Sequence, residues 1–383
     1  MIPLAMPNLT GREKEYLINC IDTTYVSSVG EYVTRLEDMC KEVCGCDYAV
    51  ATSAGTTGLH AALVAAGVGR DDLVLLPTFT FIASANAVYH CGAQPWLMDI
   101  TEDWTMDVDQ VERILDEECC LENDTLVRRE DGKRVAAIMP VYTLGNVPDM
   151  EHFRKIADRY HLPLLADAAC AIGATYQGKK LGRLADLSVF SFNGNKTITC
   201  GGGGMVFGQD EILVGKVRHL TTTARVNSEY EFDMPGFNYR MTNLQAAVGC
   251  AQMERLNEFV EKKRNIRAFY KEKLSNVFGI SFFPETEGAS CWFSGIVLDQ
   301  AEGLEEVRRI CAGLKESGIE ARSFWKPVHL QVPYADAPRA EVQKAEKLWN
   351  RIVTLPCATN ITVSELEEVV IGMRKVLRVG EVV

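Results

Sequence analysis

The chain has 383 residues, 47% of them hydrophobic and 24% charged, ordinary values for a globular protein with room for one large domain and one smaller one. Its net charge of −12 and sequence pI near 5.2 argue against a nucleic-acid-binding face or a polybasic membrane patch. No apolar run approaches the roughly 20 residues of a membrane span. The opening Met1-Ile-Pro-Leu-Ala-Met-Pro7 lacks the basic and apolar parts of a signal peptide, so a cytoplasmic protein with no membrane and no nucleic-acid partner is expected. The thirteen cysteines are accordingly read as reduced thiols. Cys40, Cys44 and Cys46 cluster most tightly, but without a CxxC unit or a paired histidine they suit a helix face better than a zinc site.

Along the chain, apolar strands alternate with helical periods. A helix is expected from Thr10, with that threonine as its cap, followed by a strand at Tyr48–Ser53 and a helix opening at Gly55-Thr-Thr-Gly58. Leu73–Pro77 reads as a strand, Thr80–Val88 as a helix start, and Gln94–Asp99 and Ala136–Tyr142 as two further strands. A helix over Met150–Tyr160 precedes a strand that ends on Asp167. Residues 117–134 read as a polar surface excursion with an Asp131-Gly132 turn. Strands that are apolar throughout and spaced by helices imply a mostly parallel sheet covered on both faces, the α/β class. Asn243–Leu274 is one long helical stretch of mixed charge, the usual place for a chain to leave a large domain. The expected division is a large α/β domain over residues 1–250 and a smaller α+β domain over 251–383.

The most informative stretch is Leu187-Ser-Val-Phe-Ser-Phe-Asn-Gly-Asn-Lys196, with four glycines at 201–204. An apolar strand runs into a polar turn ending on one lysine, and the glycines suggest a backbone packed closely against something. Asp167, at the carboxyl end of another apolar strand, points into the crevice where α/β ligands bind. A lysine able to act as nucleophile and base, with an acid able to keep a pyridine nitrogen protonated, is the minimum equipment for pyridoxal phosphate chemistry. Gly55, Thr56 and Thr57 open a helix whose first N–H groups and hydroxyls suit a phosphate, although an ordinary capped helix reads the same way. Phe81 follows a strand and can stack on a flat cofactor or fill a core. Ser191 is placed to donate to a phosphate oxygen. No Gly-x-Gly-x-x-Gly follows an early strand, so a nicotinamide-dependent enzyme is disfavoured.

Taken in order, Gly-Thr-Thr, Pro-Thr-Phe-Thr-Phe-Ile-Ala-Ser, Asp-Ala-Ala, Ser-Phe-Asn-Gly-Asn-Lys, Gly-Phe-Asn-Tyr-Arg-Met-Thr-Asn-Leu-Gln-Ala-Ala and Lys-Pro-Val-His-Leu-Gln resemble the DegT/DnrJ/EryC1/StrS family. These are nucleotide-sugar aminotransferases with the type I fold of pyridoxal phosphate enzymes. The opening Met-Ile-Pro-Leu, Val26-Ser-Ser-Val-Gly30 and the glycine run are most similar to the LegC-like branch. That resemblance implies amination at C4 of a nucleotide-linked 4-keto-6-deoxy sugar, an N-acetylglucosamine derivative, with glutamate as donor. It makes Lys196 the Schiff-base lysine and Asp167 the partner of the pyridine nitrogen. Phe81 becomes the ring-stacking residue, and Thr56, Thr57 and Ser191 phosphate contacts. Asn238 matches a residue that reaches the cofactor phosphate of a neighbouring subunit, which implies a homodimer with shared sites. His329 matches a position near the sugar cleft.

Three positions depart from the family's usual pattern. Cys170 stands where most members have a glutamine that touches the cofactor. Tyr142 stands where many have histidine at the substrate side, and Gly202 replaces an acid. Sugar dehydratases of the same family carry histidine at the lysine position, so Lys196 favours transamination over dehydration. Amination at C3 instead of C4 is the remaining alternative.

Overall fold

A computed structural model describes residues 1–300 and 303–377. Its centre is a sheet of strands buried on both faces, as their unbroken apolar character requires. Gln94–Met98, Leu73–Pro77 and Val135–Ile138 pair in parallel in that order. Leu165–Asp167, Leu187–Ser191, Gly204–Gly208 and Tyr48–Thr52 form a second group in spatial order. Parallel bridges from Ile138 to Leu164 and from Val141 to Asp167 join the groups into one mixed sheet. Within it, Gly204–Gly208 runs antiparallel to both its neighbours. The two-residue period of a strand sorts side chains between two cores. Leu73 and Leu75 join Trp96 and Met98 on one face, while Val74 and Leu76 join Leu97 on the other.

The helices are held by the same patterning. Glu31–Cys44 buries Tyr32, Val33, Leu36, Cys40 and Cys44, at helical spacing, and stops where Gly45 adopts φ 66°. Met150–Tyr160 starts with the Asp149 carboxylate accepting the His152 N–H. Three expectations need correction. The first helix begins at Glu13, not Thr10, whose hydroxyl instead bonds to Asn8 Oδ1 at 2.8 Å. Residues 117–134 contain an antiparallel hairpin of Cys119–Glu122 with Thr125–Arg128, turning through Asn123 and Asp124 at positive φ. The stretch after Asn243 is two helices, Asn243–Met253 and Leu256–Lys273.

The antiparallel sheet Ile280–Phe282, Ser294–Leu298 and Ile352–Leu355 carries a separate core with the helices Leu304–Glu316 and Val363–Val376. The chain's start joins this lobe: Ile2 bridges Ile319, and the Leu4 carbonyl accepts from the Cys357 N–H. We propose that the division expected at residue 250 lies inside Leu256–Lys273. The beginning of that helix (Leu256, Phe259, Val260) packs in the large core, and its end (Ile266, Tyr270) packs in the small one. Among the described residues no helix is long and apolar enough to cross a membrane.

One buried charge cluster fixes the edge of the large sheet. Glu37 accepts from the Ala51 N–H at 2.8 Å, from Arg240 at 3.0 Å and from Arg218 at 2.8 Å. Arg240 is the more buried of its two partners, and burial lowers its pKa against the pull of Glu37. Breaking a buried pair strands the remaining charge, so Glu37→Ala should destabilise the protein by about 3–5 kcal/mol. Denaturant unfolding checks this, and a change below about 1 kcal/mol, the range of exposed ion pairs, would refute it.

Candidate active site

The carboxyl ends of the parallel strands converge with the start of the antiparallel one. Thr52, Gly204 and Ser191 lie in register across three adjacent strands. Beside them Asp167 ends its strand, and Thr78 to Phe81 lead from Leu73–Pro77 into the helix Ile82–His90. A cavity of about 580 Å³ opens at this edge, closed on its far side by Trp292 and Arg322–Trp325 from the small lobe. Crevices at strand carboxyl ends are where open α/β sheets bind ligands.

The sequence-derived residues divide sharply. Gly55, Thr56, Phe81, Asp167, Cys170, Ser191 and Lys196 all line this cavity. Gly55 belongs there because a Cβ would lie 2.9 Å from the Ser191 Cβ; the helix Gly55–Ala65 can start so close to the strand end only without a side chain. Gly204 meets the same limit, since its Cβ would fall 2.7 Å from the Gly55 nitrogen. Phe81 is 56% exposed at the helix start, an apolar ring left open to the cavity. Asp167 is buried, with Oδ2 accepting from Ser84 Oγ at 2.6 Å and Oδ1 from the Ala169 N–H at 3.0 Å. Burial raises its pKa, opposed by those two hydrogen bonds and by the charge of Lys196. Lys196 Nζ lies 3.2 Å from Cys170 Sγ and 3.9 Å from the centre of the Trp292 ring. The Trp292 indole N–H bonds to the Asn195 carbonyl at 2.7 Å, so one tryptophan holds both the lysine and its loop. Burial also pushes the Cys170 thiol up, with Lys196 opposing.

Four expected residues lie outside this lining. Thr57 spends its hydroxyl on the helix start, accepting from the Ala54 N–H at 3.0 Å and donating to the Ala54 carbonyl at 2.9 Å. In this structure the residue expected at the phosphate caps the helix start. Tyr142 is fully buried in the large core, its hydroxyl has no hydrogen-bond partner, and burial pushes its pKa up. The expectation of substrate contact is corrected accordingly. His329 is also buried, its Nδ1 2.6 Å from Thr78 Oγ1 and its Nε2 3.2 Å from Glu346 Oε1, so its ring bridges structure instead of facing the cleft. Burial lowers its pKa against the influence of Glu346. Asn238 is exposed and bridges Thr222, away from this chain's own cavity. Ser84, Trp292, Arg322 and Trp325 are lining residues that the motifs did not single out. Ser84 was within reach of sequence reasoning, one helical turn beyond Phe81 in the quoted Pro-Thr-Phe-Thr-Phe-Ile-Ala-Ser segment.

The sequence profile of the DegT/DnrJ/EryC1/StrS aminotransferase family matches residues 7–374. The chain belongs to this family. It is 37% identical over 382 residues to a GDP-perosamine synthase of Caulobacter vibrioides, covering 98% of each chain. It is 36% identical to a GDP-perosamine synthase of Escherichia coli O157:H7, covering 93% of each. Helicobacter pylori PseC, an aminotransferase involved in the biosynthesis of pseudoaminic acid, superposes with a TM-score of 0.88 at 22% identity, over 98% of this chain and 99% of its own. That likeness shows the fold, the type I architecture of pyridoxal phosphate enzymes. The protein is an aminotransferase whose cofactor is pyridoxal 5'-phosphate.

The residues present fit that cofactor. Asp167 is buried and, although Lys196 in the same cavity favours its charge, it makes no ion pair among the described residues, so a cationic ring nitrogen fits its position. The start of Gly55–Ala65, with Thr56 and Ser191 beside it, supplies N–H groups and hydroxyls for a phosphate.

Proposed function

We propose that the protein transfers an amino group from glutamate to C4 of a nucleotide-linked 4-keto-6-deoxy sugar, on a route to amino sugars of surface glycans in the cytoplasm. The observation that carries the chemistry is the convergence of Lys196 and Asp167 in one cavity with the start of the helix Gly55–Ala65, whose first N–H groups suit an anion. Bound there, pyridoxal phosphate supplies a conjugated ring that takes up the electrons released when a substrate Cα–H bond breaks. Asp167 would keep the ring nitrogen protonated, and Ser84 and the Ala169 N–H hold the carboxylate in place for that task. Lys196 would hold the cofactor, and once the donor's amino group has displaced it, its free amine would be the base that takes the donor's Cα proton and hands it on. Thr56 and Ser191 would hold the phosphate and Phe81 would offer an apolar face to the ring, while Cys170 sits beside the lysine.

The C4 position and the N-acetylglucosamine derivative rest on the resemblance to the LegC-like branch. The two perosamine synthases bring a GDP-linked sugar forward as a second acceptor. We also propose a homodimer in which Asn238 serves the partner's site. The exposed apolar side chains Val226, Tyr230, Phe232 and Met234, just before that asparagine, are what such an interface would cover.

Incubation of the purified protein with glutamate and a panel of UDP- and GDP-linked 4-keto-6-deoxy sugars, followed by mass analysis, should show a carbonyl oxygen exchanged for an amine in at least one. Initial rates with donor and acceptor varied together should give parallel lines. Intersecting lines, or no aminated product from any 4-keto sugar, would defeat this reading.

A further inference from the structure

Resting on the transaminase reading above, we infer that Arg322 is the residue that recognises the carboxylate of the amino-acid donor. The charged residues lining the cavity are Asp167, Lys196 and Arg322. Asp167 faces Ser84 and the Ala169 N–H, and Lys196 is committed beside Cys170 and Trp292. The helix start at Gly55 and Thr56, with Ser191, is the place for one anion and belongs to the large lobe. Arg322 lies on the other wall, in the segment Arg322–Trp325 of the small lobe. Two anion-binding elements therefore face one cavity from opposite lobes.

Arg322 is held in position without being used up. Its carbonyl accepts from the Thr354 N–H at 2.8 Å, which ties its backbone to the strand Ile352–Leu355. Its guanidinium carbon lies 5.4 Å from the centre of the Phe293 ring, a distance at which an arginine is steadied over an aromatic face. Among the described residues its side chain makes no hydrogen bond and no ion pair. Arg267, by contrast, commits both terminal nitrogens to the carbonyls of Pro284 and Phe293. A guanidinium offers five donors in a planar fork, and a carboxylate matches that fork with two parallel hydrogen bonds. A transaminase must seat a free amino acid with its Cα beside the lysine, and Arg322 is the uncommitted cation of the lining. Trp292, Phe324 and Trp325 line the same wall of the cavity.

The test uses the cofactor-loaded protein. Glutarate, a dicarboxylate with no amino group to react, and uridine diphosphate are titrated separately by calorimetry into the wild type, Arg322→Gln and Arg322→Lys. Melting temperatures equal to the wild type establish that both variants are folded. We expect Arg322→Gln to bind glutarate about ten- to a hundredfold more weakly and uridine diphosphate unchanged, with Arg322→Lys recovering part of the loss. In steady-state kinetics Arg322→Gln should raise the KM for glutamate and leave that for the sugar nucleotide as it was. Weakened uridine diphosphate binding with glutarate unaffected would overturn the inference and assign Arg322 to the nucleotide's phosphates. Glutarate that fails to bind the wild type, or binds all three proteins equally, would overturn it as well. If no acceptor in the sugar panel is aminated but glutarate binding still depends on Arg322, the acceptor reading fails and the donor assignment stands.

Discussion

Replacing Lys196 with alanine is expected to lower the turnover of amino transfer by at least about 10²- to 10⁴-fold, the contribution of a positioned general base, and to abolish covalent attachment of the cofactor. The expectation follows from where the amine sits. Nζ lies 3.2 Å from Cys170 Sγ and 3.9 Å from the Trp292 ring centre, in the same cavity as the carboxylate of Asp167. Among the lining residues it is the one primary amine, so no second side chain can inherit its proton-moving task. The variant should nevertheless keep its affinity for the phosphate end of the cofactor, because Thr56, Ser191 and the start of Gly55–Ala65 are untouched. Treatment with borohydride followed by peptide mass analysis separates the two effects. The wild type should carry the reduced cofactor on the peptide containing Lys196, and the variant on none. A variant that transaminates at the wild-type rate, or a label on another lysine, would remove Lys196 from the chemistry.

That lysine was legible in sequence because its setting is local: a strand, a polar turn and glycines within one short stretch. The same holds for Asp167 and Gly55, each at the end of a strand whose apolar run announces it. The failures share the opposite cause. Asp167 ends its strand, whereas Tyr142 lies beyond the end of Val135–Ile138, just before a turn in which Leu144 adopts φ 61°, and its phenol is in the core. Nothing in the residue order distinguishes that outcome from a ring facing the cleft. His329 is fixed by Thr78 and Glu346, and the threonine is far away in sequence and on the other lobe's strand end. Thr57 and Thr56 are neighbours of identical type, yet a helix start consumes the hydroxyl at its third position and leaves the one before it free. Trp292 and Arg322 escaped notice because their role exists only once the small lobe closes over the large one. Long-range packing of that sort has no periodicity to betray it. The expected single helix from Asn243 to Leu274 shows the same limit. Its helical pattern continues without interruption, yet the chain breaks at Glu254 and Arg255, with Met253 and Leu256 on either side of the break packed in the same large core.

Asp167→Asn should act in opposite directions on catalysis and on stability. The amide keeps the shape of the carboxylate, with its oxygen still able to accept from the Ala169 N–H and its NH2 able to donate to Ser84 Oγ, but it no longer favours a proton on the ring nitrogen. Turnover should therefore fall by about 10²- to 10³-fold, the scale seen when one preorganised electrostatic partner is removed. In the cofactor-free protein the same carboxylate is a liability. Burial raises its pKa above the unfolded value, so the folded state holds the proton more tightly than the unfolded chain does. Such a group contributes stability below its unfolded pKa, and that contribution disappears as pH rises through the raised folded value. Where the pH ionises it, Asp167 in the cofactor-free wild type is a buried charge without an ion pair, favoured only by its two hydrogen bonds and by Lys196, a cost that Asp167→Asn lacks. The variant without cofactor should melt at a higher temperature than the wild type near pH 7, and the gap should narrow as the pH is lowered toward the acid range. With cofactor bound, the wild type should regain the advantage, because the ring nitrogen supplies the missing cation. Melting curves of both proteins, with and without pyridoxal phosphate at two pH values, decide the matter. A cofactor-free Asp167→Asn protein that is less stable than the wild type at neutral pH would mean that the carboxylate is already satisfied by the protein, and the case for a pyridine nitrogen above it would fall.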